Sequence, residues 1–85
     1  MIYTIVSVRD GASGAFGRPF FVHARAQAVR SFTDEVNRPA PDNEMNRHPD
    51  DFDLFFIGTF DDSSGALTNN PELLLRGKDA VNTAH

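Results

Sequence analysis

The sequence predicts an α+β fold, a small antiparallel sheet in β-β-α-β-β order with one helix packed on one face, and three observations carry it. Residues 2–9 are dense in β-branched side chains and suit a strand. Between Ala24 and Asn37 the period turns helical, with Ala28, Val29, Phe32 and Val36 on one stripe. The run Leu54-Phe55-Phe56-Ile57 is continuously apolar but too short for a typical helix, which suits a central strand buried on both faces. A single α+β domain over residues 1–77, followed by a flexible tail over 78–85, is the expected organisation.

Each element has its own local grounds. In the first strand Ile2, Thr4, Val6 and Val8 share one face, and Tyr3, Ile5, Ser7 and Arg9 the other. Asp10–Gly17 has three glycines and no β-branched residue, so it reads as a loop rather than a strand. Arg18–His23 reads as a second strand, with Pro19 tolerated at its start or on an edge. The helix that follows carries Arg30 and Asp34 as an i,i+4 pair on its polar side, and Asn37, Arg38 and Pro39 end it. Residues 38–50 form a polar, proline-containing loop, longer than most connections.

Gly58, inside the second half of the central strand, marks a bulge or a close approach. Asp61-Asp62-Ser63-Ser64-Gly65 is turn chemistry, and a short strand over Ala66–Thr68 follows it. Pro71–Arg76 reads as one helical turn, with proline at its first position and Gly77 after its end. One helix covers one face of a sheet, so Tyr3, Ile5 and alternate residues of the central strand are left on the other. An apolar face left over on so small a chain implies a partner surface, either for a second copy or for stacked bases.

Composition narrows the function classes. Eight Phe and one Tyr in 85 residues supply a compact core. The chain has no cysteine, which excludes disulfides, thiolate metal sites and a Cys nucleophile. The segment MIYTIVSVRD has neither a basic leader nor a long apolar run, so no signal peptide is expected, and no stretch is long enough to span a bilayer. The net charge of −4 is unevenly spread. Residues 1–40 carry Arg9, Arg18, Arg25, Arg30 and Arg38 against three acids, whereas residues 41–85 carry Arg47, Arg76 and Lys78 against nine.

Most motifs reduce to structure. The loop Gly11–Gly17 leads into a strand and lacks a GK[ST] element, so it is no phosphate loop. Asp50 and Asp51 precede the central strand while Asp61 and Asp62 follow it. At about 3.3 Å per residue they stand roughly 25 Å apart, too far for one metal ion. His23, His48 and His85 have no second ligand at metal spacing, and no nucleophile–base–acid pattern accompanies them. What remains is arginine interleaved with aromatics, Arg9, Phe16, Arg18, Phe20, Phe21 and Arg25. This combination can hold phosphates and stack bases without regard to sequence, although the pattern by itself fits arginines as solvated surface and phenylalanines as core better.

The order of pieces also resembles a known family. A start I-Y-T-I-V precedes a P-F pair, then Ala28-Val29-Arg30-Ser31-Phe32 on the helix. The specific part is the run from His48-Pro49-Asp50-Asp51-Phe52 through Ile57-Gly58-Thr59-Phe60-Asp61 to Gly65. Over residues 2–68 the chain resembles the small nonstructural protein of gokushovirus-type microviruses, phages with circular single-stranded DNA genomes. It departs from that pattern in a longer glycine loop and in a helix start, His23-Ala24-Arg25, without an Asn or Asp cap.

The resemblance implies a non-enzymatic DNA-binding protein of phage genome replication in the host cytoplasm, acting at the switch from duplex to single-strand synthesis. The expected partner is single-stranded DNA and the expected state a homodimer, with no cofactor, no metal and no membrane. Arg18, Arg25, Arg30, Arg38 and Arg47 would hold phosphates, and Tyr3, Phe16 and Phe21 would stack bases. The rival expectation is a protein-interaction regulator that binds the phage initiator or a host replication factor, favoured by the acidic second half.

Overall fold

The computed structural model describes residues 1–82. The chain runs through β1 (Ile2–Asp10), β2 (Ala15–Phe16), β3 (Phe20–Val22), α1 (Arg25–Val36), α2 (Glu44–Arg47), a 3-10 turn (Pro49–Asp51), β4 (Phe52–Asp61), β5 (Leu67–Arg76) and α3 (Gly77–Ala80). All strand pairings are antiparallel, in the order β2-β1-β4-β5, with β3 alongside β2 on the same edge of β1. The α+β expectation therefore holds.

The core lies between this sheet and α1. Val6, Val22 and Leu54 from the strands meet Ala28, Phe32 and Val36 from the helix, and Ala80 closes the end. These are the stripe residues of the helical period and alternate residues of the strands. Such burial brings about 25 cal/mol per Å² of apolar area removed from water. The uncapped start of α1 has a substitute: the Gln27 side chain accepts a hydrogen bond from the His23 amide at 2.9 Å. At the end of this helix Glu35 pairs with Arg38, two residues beyond its last turn.

Residues 38–50 are more ordered than their composition suggests. Asn43 is buried; its amide donates to the Glu35 and Arg38 carbonyls at 2.8 Å each, and its oxygen caps α2 by accepting from the Met45 and Asn46 amides. Asn46 in turn donates to the Val36 carbonyl at 2.9 Å. Removing an Asn cap costs about 0.5–2 kcal/mol. Asn43→Ala is expected to lower stability by that amount in a urea melt, while Asn46→Ala, which leaves the cap intact, costs less.

Two expected elements change. Ala15–Phe16 is a short strand inside the expected glycine loop, because Arg9 and Asp10 extend β1 and offer it partners. Pro71–Arg76 is not a helical turn but the second half of β5. β5 is an edge strand, and Pro71 falls where its register against β4 slips, between the Phe56–Glu72 and Gly58–Asn69 pairs. A residue without an N–H costs a ladder nothing there. Gly77 thus follows a strand and starts α3, wedged so closely under Pro49 and Phe52 that a Cβ would strike both carbonyls.

Lys78–Ala80, assigned to the tail by sequence, are helical and place Ala80 in the core. Asn37 holds this segment, donating to the Ala80 carbonyl at 2.9 Å and accepting from the Asn82 amide at 2.6 Å. The rest of the expected tail, residues 83–85, lies outside the described residues.

Two acids report the local geometry in solution. The Arg38 guanidinium, donating to both Glu35 oxygens at 2.8 Å, holds Glu35 below its ordinary 4.5. The Ser63 hydroxyl and amide hold Asp61 below its ordinary 3.8 at the β4–β5 turn. Lowered acids stabilise the fold above their unfolded-state values, and that contribution is lost as pH falls through the folded values. Carboxyl NMR titration is expected to give midpoints below 4.5 for Glu35 and below 3.8 for Asp61. An ordinary midpoint at Glu35 would mean that the Arg38 pair is open.

Candidate functional site

The sheet face turned away from α1 is built by the same alternation that makes the core. On β1, Val6 points to the helix, so Tyr3, Ile5, Ser7 and Arg9 point away. On β4, Leu54 and Phe56 face the helix while Asp53, Phe55 and Ile57 face out. A bulge then resets the pattern. Ile5 pairs with Gly58 but Val6 with Phe56, which leaves Ile57 as the extra residue and puts Phe60 opposite Tyr3 on the open face. Ile57 and Gly58 thus both belong to the open side, and β4 delivers more apolar residues there than strict alternation allows. Gly58 serves this bulge by letting β5 approach; a Cβ there would strike the Thr68 carbonyl.

Aromatic rings occupy two stations on this face. At one, Phe21 packs edge-on against Tyr3, with centroids 6.1 Å apart, and against Phe60 at 5.9 Å; His23 lies 6.0 Å from Tyr3. At the other, Phe16 stands edge-on to Phe55 at 5.1 Å. Phe21 remains 54% exposed and Phe16 47%. Between the stations runs an apolar groove: a hollow of about 450 Å³ between Ile5, Phe21 and Leu67, continuing past Pro19 and Ile57 toward Phe16. Ser7, a buried hydroxyl beneath it, donates to the Gly17 carbonyl at 2.7 Å and holds the irregular segment Gly17–Pro19 against β1.

The sequence-predicted site residues divide between the two sides. Tyr3, Phe16 and Phe21 all lie on the open face, and Arg18 sits in Gly17–Pro19 at its edge. The other four arginines belong to the helical layer. Arg25 lies over the Phe56 ring, 4.0 Å from its centroid, and pairs with Glu72 at 2.9 Å. Arg38 pairs with Glu35 at 2.8 Å and Arg47 approaches Glu44 at 3.6 Å. Arg30, on the outer side of α1, is exposed. Arg25, Arg38 and Arg47 are therefore occupied within the fold, and only Arg18 of the predicted cations stands beside the aromatic stations.

Sequence reading missed two contributors. Phe60 is one: strict alternation from Phe55, itself on the open side, would turn Phe60 to the helix, and only the bulge at Ile57 assigns it to the open side. Arg76 was hidden by the helical reading of PELLLR; as a strand residue it stands opposite Asp53, which stands opposite Arg9. The alternation of Leu73, Leu75 and their neighbours is broken by the slip at Leu74, so period-2 counting fails there.

Among the described residues no group of three or more His, Cys, Asp or Glu side chains could hold a metal ion. No helix among them is long and apolar enough to cross a membrane. In comparisons with known proteins, residues 3–80 match the family model described as Phage ORF5 protein. No curated protein and no solved structure matches the chain.

Proposed function

The chain belongs to the Phage ORF5 protein family, and from that premise we propose that it is a non-enzymatic single-stranded-DNA-binding protein of phage genome replication. The observation that carries this reading is the open sheet face. It presents exposed Phe21 and Phe16 at two stations along one apolar groove, with Arg18 at the edge. Flat sheets with exposed aromatics bind single strands by stacking bases on rings while cations hold the backbone, an arrangement open to any base. A duplex keeps its bases stacked inside and offers such a face little, so single strands are preferred.

The resemblance to gokushovirus-type microviruses suggests the stage at which this binding acts: the switch from duplex replication to the single strands that are packaged. A chain of net charge −4 has no bulk attraction for DNA. Affinity therefore rests on a few local contacts and falls with salt according to how many phosphates are held.

Anisotropy titration of a labelled oligothymidine at low salt tests the reading. Binding that exceeds that of a duplex of equal length is expected. Equal or absent binding removes it. A second reading has one observation in its favour, the aliphatic Leu67 and Leu73 on the β5 side of the open face, 69% and 41% exposed. They suit a protein surface, whether a second copy or a replication protein. A mass measurement of the free protein showing a dimer that dissociates when oligonucleotide is added would reconcile the two, whereas a dimer indifferent to DNA would favour the second.

A further inference from the structure

We propose that Arg9 and Arg76 form a seat for a backbone phosphate at one end of the open face, with Asp53 between them setting its strength; this rests on the single-strand reading of that face. The three residues form one cross-strand row, Arg9 opposite Asp53 on β4 and Asp53 opposite Arg76 on β5. Arg9 is also the partner of Phe16 on its other side, so the row begins at an aromatic station. Alternation puts all of them on the open face, since Leu54 and Leu75, one residue away from Asp53 and Arg76, pack against the core.

Adjacent strands lie about 4.8 Å apart, so the two arginine backbones stand about 10 Å from each other. Two long side chains reaching inward from that separation can meet on one anion, and the planar guanidinium fork is shaped for phosphate oxygens. The arginines elsewhere in the fold supply the contrast. Arg25, Arg38 and Arg47 each have a carboxylate within 4.0 Å. Among the described residues no carboxylate, Asp53 included, lies that close to Arg9 or Arg76. Two cations and one anion leave the row with one net positive charge, which a phosphodiester monoanion completes. Asp53 repels that phosphate and keeps the seat weak, as suits a protein that must release its strand.

Two measurements test the seat. Inorganic phosphate is titrated while the arginine Nε–Hε resonances are followed by NMR, and the salt dependence of oligothymidine binding is compared among wild type, Arg76→Gln and Asp53→Asn. Phosphate is expected to shift Arg9 and Arg76 well beyond Arg30, which serves as the exposed reference. Arg76→Gln is expected to flatten the slope of log K against log salt by about 0.7, the loss of one phosphate contact on a single strand. Asp53→Asn is expected to tighten binding roughly 2- to 5-fold, the size of an exposed charge interaction.

Shifts no larger at Arg9 and Arg76 than at Arg30 overturn the proposal. So does an unchanged slope in Arg76→Gln when the oligonucleotide binds, in which case the aromatic platform stands without the seat. If phosphate shifts the two arginines but oligothymidine does not bind, the seat stands and the single-strand reading of the face falls.

Discussion

Phe21→Ala is expected to weaken oligothymidine binding by about 1–3 kcal/mol, the worth of one base stacked on an aromatic ring. That is roughly 5- to 150-fold in Kd. The ring is more than half exposed and leans edge-on against both Tyr3 and Phe60, so its removal takes away the stacking surface and loosens the two rings beside it. Phe20→Ala is the control. Phe20 is the next residue along β3 and 39% exposed, yet it pairs with Val6, whose side chain lies in the core, and so belongs to the helix side of the sheet. Its loss is expected to leave Kd unchanged within twofold. Equal losses for the two variants would mean that DNA affinity does not depend on the open face. A Phe21→Ala protein that binds like wild type would move the bases off this station altogether.

Gly58→Ala is expected to cost about 3 kcal/mol of stability, the upper end for forcing atoms into a packed site. In a domain of this size that lowers Tm by roughly 12–24 °C. The added Cβ meets the Thr68 carbonyl, which is backbone and cannot rotate aside. Relief requires β5 to move away from β4 next to the Thr59–Thr68 hydroxyl pair. Gly65 makes a different comparison. It is open around its Cβ position but holds a φ of 76°, so Gly65→Ala carries only the strain of a left-handed turn, about 1–2 kcal/mol. Thermal melts of the two variants distinguish crowding from conformational strain; a Gly58→Ala melt within a few degrees of wild type would mean that the strands part at little cost.

Sequence legibility followed how local the determining physics was. The helix from Arg25 to Val36 was legible because its stripe repeats for three turns and one face must be buried. The turn at Asp61–Gly65 was legible because Asp, Ser and Gly each meet a local backbone demand there. PELLLR was misread because leucines in succession, a leading proline and a trailing glycine satisfy helix rules, while its strand state is dictated by pairing with β4, remote in sequence.

The order within residues 38–50 was a closer miss. Asn43 followed by Glu44 and, three residues later, Arg47 is a capped helical turn with its charges matched to the dipole, and that signal was present but brief. For the site, Tyr3 was recoverable from the leftover face, and Phe16 and Phe21 from their interleaving with arginines. The arginines were not, because whether a guanidinium is free depends on which carboxylate the fold brings to it. Arg25 meets Glu72 across 47 positions of sequence, and no local pattern announces that.

The slips in β5 bear on crowding. Ten residues of this strand form an outer edge, most of them exposed, which is the geometry that invites another chain to add itself and propagate a cross-β stack. Pro71 offers an incoming strand no donor, and the register breaks beside it and at Leu74 bend the edge out of the straight line that a growing fibril needs. The residues that spoil the regularity of the sheet are thus the ones that guard its longest edge against pairing with another chain.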